Sequence, residues 1–354
     1  MEPVILDRLP DGLLDRPANR LEEVLSGPTL IHLPGRRPRP LFVCVLQHGN
    51  EISGWEAVRR LLKGRYARDP LPRSLVLFIA NVRAAGRNRR YLSDQPDFNR
   101  CWPGSGTETG SIHALLAGVT EHVRGLKPFA SIDVHNNTGE NPHYAAINHI
   151  RPQHLRLGAL FSRTVIYFSQ PRGVQSMAFG EFCPAVTLEC GPPNRLDGAD
   201  HAMSYLASVL DAEEISDRLP APEDIELFQM VATVNIAPQH SFSFAPDGSD
   251  VVLRQDLDQL NFRELPPGTR FGSVNTDSSS TLLVRSHDES DQFEHWFETR
   301  NGEILTGRPM MPAMLTTDER VIRQDCLCHL LERIPAGLPA DEFGPWHELP
   351  ESRP

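Results

Sequence analysis

Apolar and polar positions along the chain change rhythm near residue 216. Before that point, short unbroken apolar runs alternate with stretches in which apolar residues recur every three or four positions. Leu41–Leu46 and Ser74–Ala80 are continuous runs, the pattern of strands buried on both faces of a parallel sheet. Between them Trp55, Val58, Leu61 and Leu62 recur at helical spacing, and Gly64 supplies a stop. A second helix is predicted from Ser111, read as its cap, through Ile112, Leu115, Leu116, Val119 and Val123 to Gly125. Strands are predicted at Ala130–Val134, Arg163–Phe168 and Pro184–Leu188. A third helix around Asp200–Leu210 carries Met203, Leu206, Val209 and Leu210 on one face. Strand–helix alternation of this kind predicts an α/β layer architecture.

After Ser216 the texture becomes that of short strands and turns. Pro220 and Pro222 mark a linker, and β-like runs follow at Met230–Ile236, Val251–Arg254 and Thr281–Arg285. Pro246-Asp-Gly248 and Pro266-Pro-Gly268 carry turn chemistry. The expected organisation is a catalytic domain over 1–216 and a smaller β-rich domain over 217–354. No internal repeat or long low-complexity tract interrupts it.

Composition narrows the classes open to the chain. Its 354 residues, 40% hydrophobic and 23% charged, suffice for a full core. A net charge of −11 argues against a nucleic-acid partner bound through phosphate neutralisation. Acids at Glu2, Asp7, Asp11 and Asp15 are unlike a signal peptide, and no apolar run approaches the ~18 residues of a membrane span. Six scattered cysteines do not form a disulfide framework, so reduced thiols and a cytoplasmic location are expected. Cys326-Leu-Cys328-His329 looks like a metal cluster, but it sits in an apolar stretch without a second ligand pair and reads as buried core.

The chemistry concentrates where predicted strands end. The first strand runs into Gln47-His48-Gly49-Asn50-Glu51, the strand near 130 into Asp133-Val-His135-Asn-Asn-Thr138, and the strand near 185 into Glu189-Cys-Gly191. The crevice outside the carboxyl ends of such strands is where α/β sheets bind ligands. His48 and Glu51, at a strand-to-helix junction, can aim both side chains at one point, with Gly49 allowing a tight path. His135 would arrive from another strand. Two imidazoles and one carboxylate make the open three-ligand set of a catalytic zinc, one ion per chain, leaving a position for water. Taken singly, His48 reads as a surface histidine, Glu51 as a first-turn acid and His135 as a core histidine; the combination carries the reading. Asp133 shares a strand face with His135 and could orient its imidazole. Glu189, a carboxylate closing a buried strand, needs a partner or a function, and taking a proton from an activated water is one. The loop Asn88-Arg-Arg-Tyr91 through Asp97-Phe-Asn99-Arg100 has the donors to bind a carboxylate. No Gly-x-Ser-x-Gly elbow supports a serine nucleophile.

These clusters resemble the succinylglutamate desuccinylase/aspartoacylase family, zinc carboxypeptidase-like hydrolases. The matching pieces are His48-Gly-Asn-Glu51, Arg90-Tyr91 with Asp97-Phe-Asn99-Arg100, Asp133-Val-His135-Asn-Asn-Thr138 and Thr187-Leu-Glu189-Cys-Gly191-Pro192. Asn261-Phe262 followed by Leu265 and Gly268 resembles the family's β-rich C-terminal part. The resemblance implies an α/β fold with a mixed, largely parallel sheet flanked by helices. It also implies zinc on His48, Glu51 and His135, Glu189 as general base, Arg90 polarising the scissile carbonyl, and Asn99 and Arg100 gripping a substrate carboxylate. The implied reaction is hydrolysis of an amide bond in an N-acyl amino acid, a small molecule with a free carboxylate. A metallocarboxypeptidase acting on peptides or cell-wall fragments is the alternative; a homo-oligomer is left open. Two departures stand out. Family members often bring a tyrosine from the C-terminal part, whereas the last tyrosine here is Tyr205. For the arginine that reads the acyl side chain in aspartoacylases, Arg172 is a candidate by type only. Trp102–Gly110 resembles an insertion and is read as a surface loop or a lid.

Overall fold

A computed structural model describes residues 2–106, 109–193, 195–275, 281–286 and 290–334. Thr107 and Glu108 of the insertion-like stretch, and 335–354 of the β-rich segment, therefore lie outside the described residues.

The strands are β1 (Val4–Leu6), β2 (Thr29–Leu33), β3 (Gly35–Val45), β4 (Leu71–Ile79), β5 (Ala130–His135), β6 (Tyr144–Ile147), β7 (Thr164–Tyr167), β8 (Ala185–Glu189) and β9 (Glu226–Ile236). They continue as β10 (Phe242–Ser243), β11 (Val251–Leu253), β12 (Arg270–Val274), β13 (Leu282–Arg285), β14 (Phe297–Arg300), β15 (Glu303–Thr306), β16 (Met311–Ala313) and β17 (Cys328–Arg333). The helices that matter here are α1 (Ser53–Lys63), α2 (Val82–Gly86), α3 (Ser111–Gly125), α4 (Pro152–Phe161), α5 (Gln175–Gly180) and α6 (Leu196–Asp211). Among the described residues no helix is long and apolar enough to cross a membrane.

The expected fold class holds: a large mixed sheet runs in the order β1-β2-β4-β3-β5-β8-β6-β7-β9-β17-β16, with β13 also on β9. Its centre, β4-β3-β5-β8, is parallel throughout. The unbroken apolar runs follow from that position. Leu41, Val43 and Val45 point into a core shared with Trp55, Val58 and Leu61 of α1 and Leu206 of α6. Phe42 and Cys44 point into a second core with Leu115, Leu116 and Val119 of α3. A strand covered on both faces has no polar face to show. β9, by contrast, alternates buried and half-buried positions. It pairs with β7 and β17 and turns Ala232, Val234 and Ile236 toward the core of a separate five-stranded sheet, β10-β11-β12-β15-β14. The large sheet thus continues across residue 216 into the C-terminal segment.

Some expectations change in detail. Ser111 is the first residue of α3 and makes no cap bond; Gly110, at φ 114°, is the residue before the helix. β2, β6, α4 and α5 were not anticipated from the sequence; β6 and α5, of four and six residues, are too short to display a period. Gly49 has a different reason from the one expected. A Cβ there would sit 2.1 Å from the Ala85 nitrogen and 2.2 Å from the Ala84 carbonyl carbon, so glycine admits the backbone of α2. Gly49→Ala should therefore destabilise the protein by about 1–3 kcal/mol, the usual cost of overpacking. Urea denaturation of the variant checks this, and an unchanged midpoint would contradict the close approach.

Candidate metal centre and active site

The parallel neighbours β3, β5 and β8 bring the three polar clusters to one edge of the sheet. His135 and Glu189 are the last residues of β5 and β8 and face each other in register. His48 and Glu51 lie in the turn between β3 and α1, entered through Leu46 at φ 57°. There the Glu51 carboxylate sits between two rings, with Oε1 2.7 Å from His48 Nδ1 and Oε2 2.8 Å from His135 Nδ1. The ring centroids are 5.0 Å apart. Each far nitrogen meets a second carboxylate: His48 Nε2 lies 2.9 Å from Asp97 Oδ1, and His135 Nε2 lies 2.8 Å from Asp133 Oδ2. His48, Glu51, Asp133 and His135 are all buried.

A neutral imidazole has one N–H and cannot donate to two carboxylates. Either both rings are cations, or their Nδ1 lone pairs share a metal ion with Glu51 while Nε2–H donates to aspartate. Burial opposes charge on both rings, yet Glu51 and Asp97 raise the His48 pKa, and Asp133 and Glu51 raise that of His135 further. Burial likewise opposes ionisation of Glu51, but the two rings hold its pKa below the ordinary carboxylate value. The cluster therefore calls for positive charge at its centre. One donor atom from each of His48, Glu51 and His135 lies within 4.8 Å of the others, the one such group of His, Cys, Asp or Glu among the described residues. Two imidazoles and a carboxylate suit zinc, and aspartates on the outer nitrogens are the usual means of orienting such ligands.

Glu189 is set apart from this charge. Its Oε2 accepts from the Asn137 side-chain amide at 3.1 Å. Burial, only partly offset by His135 and reinforced by Glu51, pushes its pKa up to about 8. Arg90 donates through Nε and Nη2 to Asp97 Oδ2 at 3.3 and 3.2 Å, and its Nη1 lies 3.5 Å from Glu51 Oε1. Arg100 donates to the Asn99 carbonyl at 2.8 Å. Asn99 is buried; its side-chain oxygen already accepts from Gln47 Nε2 and the Gln175 amide, which leaves only its NH2 group, 3.4 Å from His135 Nε2. His48, Glu51, Arg90, Asn99, Arg100, His135 and Glu189 line one cleft of about 100 Å³, and Asp133 stands behind His135. Arg172 is exposed and is not among the lining residues.

Several contributors were not singled out from the sequence. Asp97 was visible only as part of a motif, and its role as partner of both His48 and Arg90 is tertiary. Gln47 donates to Asp133 at 2.6 Å and is itself held by the indole N–H of buried Trp102, also at 2.6 Å. From the C-terminal segment Met314, Asp325 and His329 line the cleft, and its tyrosine is Tyr144, on β6 opposite Glu189. A lone Asp, Met or His near the chain's end carries no signal of such a position.

Fold and site together define a mixed α/β catalytic domain built around a buried His-Glu-His cluster. The succinylglutamate desuccinylase/aspartoacylase catalytic-domain model matches residues 40–210, and the relatives and solved structures that follow support the same family. It is 26% identical over 250 residues to a succinylglutamate desuccinylase of Ectopseudomonas mendocina, covering 62% of this chain and 69% of that one. Its fold is similar to that of the succinylglutamate desuccinylase of Chromobacterium violaceum (TM-score 0.54, 16% identity, 85% of this chain and 86% of that). Murine aminoacylase 3 shares the fold at a TM-score of 0.56 and 15% identity, over 84% of this chain and 96% of the mouse chain.

The raised pKa of Glu189 has a consequence for stability. Between about pH 4.5 and 8 the folded, metal-free protein keeps a proton on Glu189 that the unfolded chain has lost, so this group's contribution falls as pH rises through that window. Thermal melts of chelator-treated protein should show the wild type losing ground to Glu189→Gln as pH increases. Parallel curves would mean that the carboxylate is not desolvated.

Proposed function

We propose that this protein is a zinc-dependent hydrolase that cleaves the amide bond of an N-acyl amino acid. The observation that carries the reading is the Glu51 carboxylate between two buried imidazoles, each backed by its own aspartate, with Glu189 on the adjoining strand. Zinc held by His48, His135 and Glu51 would supply a positive centre that acidifies water and polarises the scissile carbonyl.

The chain's own residues do the rest. Glu189 is protonated near neutral pH in the metal-free cleft. Positive charge in the adjoining site would favour its ionised form, and that carboxylate takes a proton from the attacking water and delivers it to the leaving nitrogen as the C–N bond breaks. Asn137 fixes the orientation of its carboxylate. Arg90, anchored on Asp97 beside the cluster, donates to the carbonyl oxygen as negative charge builds there; a positioned donor of this kind contributes about 2.7–4 kcal/mol. Arg100 binds the substrate carboxylate, and Asn99 contributes its remaining amide group. Asp133 holds His135 in place as ligand. With a boundary at 216/217, every group that handles the reacting atoms lies in the N-terminal part, and the β-rich part supplies wall residues.

Glu189→Gln should keep the metal and lose about two to four decades in kcat. Turnover at the wild-type rate would remove Glu189 from the mechanism. His48→Ala should purify without stoichiometric zinc by elemental analysis, and retention of the ion would refute the ligand assignment. A chelator should abolish hydrolysis, and added zinc should restore it. A metallocarboxypeptidase would use the same groups, so the substrate panel includes dipeptides; cleavage of peptides alone would reject the deacylase reading.

A further inference from the structure

The two guanidiniums expected to meet the substrate, Arg90 at its scissile carbonyl and Arg100 at its carboxylate, are already faced by protein carboxylates. Arg90 lies against Asp97, and a second acid reaches in from the segment between α7 (Glu319–Gln324) and β17. Asp325 Oδ2 is 3.6 Å from Arg90 Nη2, and its Oδ1 is 3.8 Å from Arg100 Nη2. Two positive charges thus face two negative ones before any ligand enters.

The rest of the cleft offers no replacement. Among the described lining residues, Arg90 and Arg100 are the only arginines or lysines. Ala146, Phe168, Val174 and Met314 form apolar wall. Part of the polar wall is self-satisfied: Thr187 donates to Ser176, Ser176 donates to the Asn148 side-chain oxygen, and the Asn148 side-chain amide donates to the Phe168 backbone carbonyl. The buried Tyr144 hydroxyl, which has no hydrogen-bond partner among the described residues, is an uncharged donor. His329, hydrogen-bonded to Thr233, is kept neutral by its burial. A second or third carboxylate on a ligand would lose its water here without gaining a cation, and would meet Asp325 as a like charge.

We infer that the substrates carry a single carboxylate, with an uncharged acyl group and an uncharged amino-acid side chain, and that Asp325 enforces this by occupying the arginine pair. The inference rests on the deacylase reading and narrows it. It separates this chain from the succinylglutamate named for its relatives, a substrate bearing three carboxylates. Asp325 is in this account a specificity residue supplied by the C-terminal segment, acting by repulsion as well as by holding the guanidiniums in place.

The test compares kcat/KM of the zinc-loaded full chain for N-acetylmethionine, N-butanoylleucine, N-acetylaspartate and N-succinylglutamate. The two monocarboxylates should exceed N-succinylglutamate by at least about tenfold, with N-acetylaspartate between them. Asp325→Asn should narrow that ratio mainly through the KM of the multiply charged substrates, while Asp325→Glu retains it. Equal or better turnover of N-succinylglutamate by the wild type would overturn the inference and leave the deacylase reading intact, as would a ratio unchanged in a folded Asp325→Asn variant. The wild-type ratio decides the substrate class even if the variant does not fold. No turnover of any N-acyl amino acid by protein shown to contain zinc would overturn the deacylase reading, and this inference with it.

Discussion

The Glu51 carboxylate, wedged between the Nδ1 atoms of His48 and His135, is the interaction on which the site depends. Removing such a charge from water costs several kcal/mol even after relaxation, and here two carboxylates and two imidazoles are buried together, with the half-buried Asp97 carboxylate beside them. The arrangement is tenable because every charge has an opposite neighbour. Asp97 and Asp133 back the rings, Gln47 caps Asp133, and Trp102 fixes Gln47. That chain of contacts runs from the cluster into the apolar core beneath α3, so ring orientation is set by packing as well as by charge.

The sheet supplies the convergence. β3, β5 and β8 are parallel neighbours in register, so their carboxyl ends reach the same level and their final residues stand side by side. A shift of one residue in any pair would turn the functional side chain to the opposite face. The two apolar cores on either side of β3 specify that register, since each face must bury its own set of residues. Gly49 then allows α2 to pack against the turn that carries His48 and Glu51.

The C-terminal segment acts on this edge without supplying the proposed reacting groups. Gly139, in the loop after His135, lies against the Leu315 carbonyl so closely that a Cβ would be 1.9 Å from it. Asn261 ties the same stretch by accepting from the Leu315 amide and donating to its carbonyl. The wall bearing Met314 and Asp325 is thereby fastened to the loop that follows the ligand histidine. Protonation is divided in the same way: Glu51 is held ionised by its imidazoles, while burial holds the proton on Glu189, a strand away, to well above the ordinary carboxylate range. Two carboxylates a short distance apart differ in behaviour because their neighbours differ.

The sequence by itself determined the layered α/β architecture, because a strand covered on both faces must be apolar throughout and a helix on its surface must repeat every three or four residues. It also determined which residues could form the centre, since His48, Glu51, His135 and Glu189 each close a predicted strand or open a predicted helix. Only the tertiary structure decided what those groups meet. Asp97 as the backing carboxylate of His48, the commitment of the Asn99 oxygen to Gln47 and Gln175, and Asp325 against Arg90 and Arg100 are contacts between residues far apart in the chain. Short elements such as β6, which places Tyr144 opposite Glu189, left no period to read. Local periodicity reports which face of an element is buried; it holds no record of the distance between side chains on different elements, and that distance sets their charge and chemistry.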